Sequence, residues 1–329
     1  MNASIQSALA SILLLANSGP ALFAESTPLP PAIVSIPRTE KVPEIDGRFK
    51  KEECATTKIS DFYHNKVDLF DRRGGSIYLA RSDDYLYVAI VTPVHPRHGP
   101  LVRYRRAYPG GDMGKIVHDD SLELWLAPGS DDRNGKAYQI IFSSNGASGS
   151  QCHEIAHEVS RPWLSKGLRY GNSIDGNNWT LELALPLKDI CLEKGADGMH
   201  LRICRNYQMP FVQARTTPGV HAYKDPATML KLVFASAPLV TEPEWTSIKG
   251  EMASVDICNP TEQTMSLKIA GESIDMAPMT SRQIPVQIHA LTEDQRETRL
   301  EIKDEEGRWI HRRCARWQLS DQPLWEEVL

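Results

Sequence analysis

Ser76–Arg81 (SIYLAR), Ser82-Asp83-Asp84 and Tyr85–Val91 (YLYVAIV) decide the fold class. Two runs rich in β-branched and aromatic residues flank a short polar turn, which is the pattern of a β-hairpin. Downstream, Leu122, Leu124 and Leu126 alternate with Ser121, Glu123 and Trp125, a strand period of two. Tyr138–Phe142 (YQIIF) ends at a turn around Asn145-Gly146, and Trp179–Ala184, Leu201–Cys204 and Met229–Phe234 read as further strands. Strands separated by turn signals, with no long amphipathic helical pattern between them, imply an all-β chain folded as a β-sandwich. Pro238–Pro243 (PLVTEP) reads as a linker. Beyond it, Ser254–Cys258, Met265–Ile269 and Arg299–Ile302 read as strands, and Lys303–Gly307 as a turn into Arg308–His311. A segment of this length suits a second, smaller immunoglobulin-like sandwich.

At 329 residues, 41% of them hydrophobic, the chain is long enough for two such cores. A net charge of -5 argues against a nucleic-acid binder, which needs a basic face. The first 24 residues carry no charged side chain, and Ala8–Ala16 (ALASILLLA) is too short to span a bilayer. This reads as a signal peptide cut after Ala24, so the expected location is secreted or periplasmic, with no membrane span. Residues 25–43 carry five prolines and read as an extended lead-in. The expected organisation is therefore a signal peptide over 1–24, a linker over 25–42, a large sandwich over 43–236 and a small one over 246–329. Six cysteines (Cys54, Cys152, Cys191, Cys204, Cys258, Cys314) form no CxxC pair, which excludes a zinc ribbon. Export permits disulfides, with Cys258–Cys314 the preferred pair; buried free thiols are the alternative.

Four pieces, in order, resemble the family 9 carbohydrate-binding modules and their relatives: Ile45-Asp46-Gly47, Asp83–Val88 (DDYLYV), Asp119–Leu124 (DDSLEL) and Trp179–Pro186 (WTLELALP). The resemblance covers roughly residues 43–236. It implies a sandwich that binds sugar between two aromatic side chains without cutting it, often with structural calcium and beside a glycoside hydrolase. Pyranose C–H groups stack on aromatic faces while carboxylates and amides fix the hydroxyls. The hydroxyl-binding acid of the family falls on Glu123, an arginine position falls near Gln139, and one sandwiching tryptophan falls on Tyr223. The other falls on Val117, where this chain departs from the pattern, since valine cannot stack. Trp125 shares the polar face of its strand with Glu123 and is a candidate replacement, as are Tyr104, Tyr108 and Trp163 on long loops. For each of these aromatics, packing in the core or at its rim is the competing role. Asp119 and Asp120 are the candidate calcium ligands.

Residues 95–118 form a long loop with Arg97, Arg103, Arg105, Arg106 and Lys115 against Asp112, interleaved with Tyr104 and Tyr108. The planar fork of arginine matches carboxylates and sulfates, so Tyr104, Arg105 and Arg106 extend the expected site toward an acidic polysaccharide. A solvated surface loop is the competing reading. His153-Glu154-Ile155-Ala156-His157 spells the HExxH zinc motif, but Ser148-Gly149-Ser150 before it and Pro162 after it leave little room for the helix that motif needs. The expected function is a secreted glycan-binding protein associated with polysaccharide breakdown. Its rivals are a structural or interaction protein that kept the fold, and a hydrolase acting on glycosyl bonds.

Overall fold

The alternation that marks the strands also builds the core. In the computed structural model, Leu122, Leu124 and Leu126 point inward, opposite Ile77, Leu79, Val88, Ile90, Leu181 and Leu183 of a second sheet. The structure describes residues 29–65, 67–103, 113–129, 135–218, 223–234, 238–320 and 325. The segment read as a signal peptide, 1–24, lies outside them.

The first strands are β1 Ile33–Ser35, β2 Thr57–Ser60, β3 Tyr63–His64, β4 Ser76–Arg81 and β5 Tyr85–Pro93, followed by one helical turn, α1 Met113–Ile116. Then come β6 Ser121–Pro128, β7 Lys136–Ser143, β8 Ser148–Glu154, β9 Val159–Pro162, β10 Arg169–Asp175, β11 Asn178–Pro186, β12 Gly198–Gln208, β13 Phe211–Arg215 and β14 Leu230–Val233. The last are β15 Leu239–Thr241, β16 Met252–Cys258, β17 Met265–Ile269, β18 Glu272–Met276, β19 Ser281–Gln287, β20 His289–Ala290, β21 Gln295–Lys303 and β22 Trp309–Gln318. Among the described residues they form two sheets. The larger runs β18-β17-β21-β22-β1-β14-β12-β6-β7-β8-β9, with β13 on β12, β3 on β13 and β20 on β21; the smaller runs β10-β11-β5-β4-β2-β15-β16-β19. The chain is all-β, as its periodicity implies.

Each of the two stretches read as linkers contains a three-residue strand. Ile33–Ser35 sits between β22 and β14, with Val34 fully buried. Leu239–Thr241 pairs with β2 on one side and β16 on the other. Through these two strands the segment after residue 238 continues both sheets, and Pro31–Leu329 packs as one compact unit. Val255, Ile257, Leu267, Ile284, Ile302 and Trp317 are its own buried residues.

The Ile-Asp-Gly piece is explained by a carboxylate. Glu182 Oε2 accepts from the backbone N–H groups of Gly47 (2.7 Å), Arg48 (3.1 Å) and Asp46 (3.2 Å). Gly47 has φ +82°, and a Cβ there would lie 2.5 Å from Asn172 N, so only glycine fits.

All six cysteines are free thiols. The Cys258–Cys314 pair is not formed: Cys314 stands beside Glu297 and Arg299 of β21, and Cys258 lies between Leu239 and Ser281 in the smaller sheet.

A buried polar seam joins the C-terminal strands to β2. Glu242 is fully buried; its Oε2 accepts from Ser60 N and Trp245 Nε1, each at 3.1 Å, and its Oε1 faces His311 Nε2 at 3.2 Å and Arg313 Nε at 3.3 Å. Nearby, Asp61 accepts from Thr246 N (3.1 Å) and Thr246 Oγ1 (3.2 Å). Burial pushes the Asp61 carboxyl up to about 7, against the downward pull of those two hydrogen bonds. The folded protein therefore holds a proton here that the unfolded chain releases near 3.8. This contribution to stability is fully present below about 3.8 and is lost as pH rises through about 7. Asp61→Asn mimics the protonated acid. The expected result is a gain on the order of 1–3 kcal/mol at pH 8 and a flatter stability profile between pH 4 and 7, read by urea unfolding.

Candidate functional site

Strands that alternate apolar residues inward place the others on an outer face. On the larger sheet that face carries Glu123 and Trp125 of β6, Gln139 of β7, His153 of β8, Arg202 and Asn206 of β12, and Gln213 of β13. The ladder sets Trp125 beside Gln139 and Arg202, and Asn206 beside Gln213. Val212 and Ala214 pack into the core, so Phe211, Gln213 and Arg215 point outward with them.

One carboxylate organises this face. Glu123 Oε2 accepts from Trp125 Nε1 and Gln139 Nε2, each at 3.1 Å, and Oε1 accepts from Asn206 Nδ2 at 2.8 Å. An ionised carboxylate only accepts, so it fixes which way both amides point. Gln139 turns its Oε1 to His153 Nε2 (3.1 Å), and His153 Nδ1 accepts a hydrogen bond from the Ser160 hydroxyl (2.8 Å). On the other side Asn206 Oδ1 accepts from Gln213 Nε2 (2.7 Å), whose Oε1 accepts from the Tyr223 hydroxyl. The result is a chain of hydrogen bonds running from His153 and from Tyr223, each donating toward Glu123. Burial, with the Lys224 charge adding to it, lowers the His153 pKa, consistent with a neutral ring carrying its proton on Nε2. Burial raises the Tyr223 hydroxyl to about 12, which keeps its proton in place.

Tyr223 is held over the sheet by Arg202. This buried guanidinium donates to Tyr223 O (3.0 Å), Thr228 O (2.5 Å), Thr228 Oγ1 (2.6 Å) and Thr217 Oγ1 (3.2 Å). Arg215 lies 5.3 Å from the Tyr223 ring centroid.

The structure thus unites Glu123, Trp125, Gln139 and Tyr223, though not as a pair of open walls. Trp125 is 7% exposed, and its ring stacks on Tyr223 at 5.9 Å and lies against His153 at 4.9 Å. Those spacings are aromatic contact distances, so no pyranose fits between the rings. Trp125 is the floor of the face, and the expectation that it replaces the missing wall is corrected. Val117 packs under α1 with Met113, Ile116, Ile141 and Ala147. Trp163 packs against Tyr138 at 4.8 Å. Tyr104, Arg105 and Arg106, with Tyr108, lie outside the described residues.

Among the described residues, the exposed aromatic on this face is Phe211, at 68% exposure. It lies opposite Gln208 in the ladder, and Gln208 Nε2 donates to Val117 O (3.1 Å) and Asp119 O (3.2 Å). Phe211 therefore stands at the same end of the face as Val117. Sequence reasoning missed it, together with Asn206, Gln213 and Arg202, and met His153 only as part of the HExxH stretch. The available signal was the alternation of Arg202, Cys204 and Asn206 with Leu201 and Ile203.

Asp119 and Asp120, the expected calcium ligands, act as hydrogen-bond acceptors in this structure. Asp119 accepts from Arg103 N (2.7 Å) and Ser143 Oγ (2.9 Å); Asp120 accepts from Leu101 N (2.5 Å), Arg205 Nη1 (3.1 Å) and Gln208 N (3.3 Å). All four oxygens meet hydrogen donors, and two of these donors, Leu101 N and Arg103 N, hold the 101–103 segment. The pair does not fit a cation that needs six or more oxygen ligands. The HExxH stretch likewise forms no helix: His153 and Glu154 end β8, Ile155–His157 is a single 3-10 turn, and Glu154 pairs with Arg161 at 3.3 Å.

No protein-family model matches this chain, and no curated protein matches it. Solved structures similar to it include carbohydrate-binding proteins. One, from Bacteroides uniformis and described as carbohydrate-binding, is 13% identical at a TM-score of 0.48, over 63% of this chain and 100% of that one. A family 9 carbohydrate-binding module from Caldicellulosiruptor kristjanssonii in complex with cellotriose is 12% identical at 0.38, over 61% of this chain and 93% of that one. The same module with glucose gives 12% at 0.40, over 61% and 95%.

Proposed function

We propose that this protein binds glycans, without cutting them, on the outer face of the larger sheet. The observation that carries the reading is the hydrogen-bond chain centred on Glu123, which lays amides and a hydroxyl between Tyr223 and the exposed Phe211. Sugar hydroxyls are read by such amide and carboxylate groups, and sugar C–H faces by aromatic rings. In this reading Gln139, Gln213 and Asn206 exchange part of their mutual hydrogen bonding for the ligand, and Phe211 supplies the stacking surface. Glu123, both oxygens engaged by N–H donors, orients the amides rather than transferring a proton. Arg215, Lys224 and Arg202 around Tyr223 favour an acidic glycan, a uronate or sulfated polymer. Export, and service beside a separate glycoside hydrolase during polysaccharide breakdown, complete the proposal.

The test is retention of residues 25–329 on immobilised neutral, uronate and sulfated polysaccharides, with calcium or with EDTA. The expected result is retention on an acidic class, weakened by added salt, unaffected by EDTA, and reduced about ten-fold in Phe211→Ala. The Trp125–Tyr223 stack and Val117 favour a second reading, an interaction protein that kept the fold without a sugar site. Failure to bind any class would establish that reading instead.

A further inference from the structure

We propose that Cys152 and Cys191 are a disulfide-forming pair that staples the larger sheet to the smaller one. The inference is independent of the glycan reading. Cys152 lies directly opposite Tyr138 in the β7–β8 ladder and packs on the same core. Cys191 reaches the same phenol from the other sheet: it ends the 3-10 turn Leu187–Ile190, which follows β11, and Tyr138 Oη donates to its Sγ at 3.3 Å. Two thiols from different sheets thus converge on one hydroxyl, and each acts on the other across it.

The backbone points the same way. Cys191 closes its turn in the left-handed region, at φ +57°, where glycine or asparagine is the comfortable residue. It is exposed, so an oxidant reaches it. The other cysteines have separate surroundings. Cys54 packs with Ala80, Tyr87 and Ala184, and Cys204 with Trp125, Ala127 and Met229. Cys314 stands beside Glu297 and Arg299 of β21, and Cys258 lies between Leu239 and Ser281 in the smaller sheet.

The oxidant class is a low-molecular-weight disulfide such as glutathione disulfide. The Cys191 thiol gives up its proton, and the thiolate attacks one sulfur of the disulfide, forming a mixed disulfide and releasing one glutathione thiolate. Cys152, deprotonated in turn, attacks the Cys191 sulfur and releases the second glutathione. Two protein thiols are oxidised, one glutathione disulfide is reduced to two thiols, and the two protons end on the released glutathiones. The bridge closes the segment between β8 and the turn after β11, restricting the unfolded chain.

The experiment treats the reduced full chain with glutathione disulfide, then denatures it in an alkylating reagent and maps unreduced peptides by mass spectrometry. The expected result is loss of two of the six alkylatable thiols, one cross-linked species joining the peptides of Cys152 and Cys191, and a higher urea midpoint than the reduced chain. Tyr138→Phe, which removes only the hydroxyl between the sulfurs, forms the same bridge; Cys191→Ser forms none. Six alkylatable thiols after oxidation, or a bridge that uses any other cysteine, would overturn the proposal.

Discussion

Glu242→Ala is expected to destabilise the protein by about 3–5 kcal/mol, because it leaves the Arg313 charge buried without its carboxylate. Glu242, Arg313 and His311 are each at most 2% exposed. Ser60 N and Trp245 Nε1 lose their acceptor in the same step. Burial alone would raise the Glu242 carboxyl, but the Arg313 charge, the His311 hydrogen bond and the Ser60 N–H outweigh it and hold the group down to about 2. A folded pKa below the unfolded value of 4.5 means the contribution is present above 4.5 and is lost as pH falls through about 2. The wild type is therefore expected to lose stability over that window, and the alanine variant to show a shallower acid transition. Urea unfolding at pH 7 and pH 3 checks both. Equal slopes with pH in the two proteins would show that the seam does not carry the acid sensitivity.

Glu123→Gln is expected to weaken glycan binding at least about 30-fold while nearly preserving side-chain volume. The Glu123 carboxylate receives three N–H donors, and charge-assisted hydrogen bonds contribute roughly 1.5–3 kcal/mol each. A glutamine presents one NH2 to donors, so Gln139 or Asn206 must turn over, and the chain reaching Gln213 or His153 reverses with it. The readout is titration calorimetry on the glycan class retained in the panel. Binding within three-fold of wild type would mean that the orientation of the amides is not what the ligand reads.

The fold was legible where one face is apolar and the other polar. The hairpin of β4 and β5, and strands β6, β7 and β11, follow from period two. Three kinds of element escaped. Strands β8 and β10 carry Ser, Gly or Asn at several positions, and β9 is fully exposed, so their composition resembles loops. Strands β1 and β15 are short and flanked by proline, the mark of a linker, yet their neighbours pair with them on both sides. Arg205 breaks the alternation of β12 by pointing inward, where it meets Asp120 at 3.1 Å and lies 4.1 Å from the centroid of the Tyr207 ring.

The site was legible only through its carboxylate and aromatics. Glu123, Gln139 and Tyr223 do converge, but Asn206, Gln213 and His153 join them because of strand register, which local pattern does not reveal. By sequence, Trp125 reads as a binding surface because it shares the face of Glu123. The segment pinned by Arg202 lays Tyr223 over it, and sequence spacing carries no sign of that cover.

The most direct test of the central claim is the indole N–H resonance of Trp125 during titration with the retained glycan. Its Nε1–H donates to Glu123, while those of Trp245 and Trp317 donate to Glu242 and to the Ile248 carbonyl, within the C-terminal strands. A glycan on the proposed face is expected to shift the Trp125 signal saturably and leave the Trp245 and Trp317 signals in place. A Trp125 signal unmoved at saturation, or movement confined to the C-terminal tryptophans, would contradict the assignment of this face as the binding site.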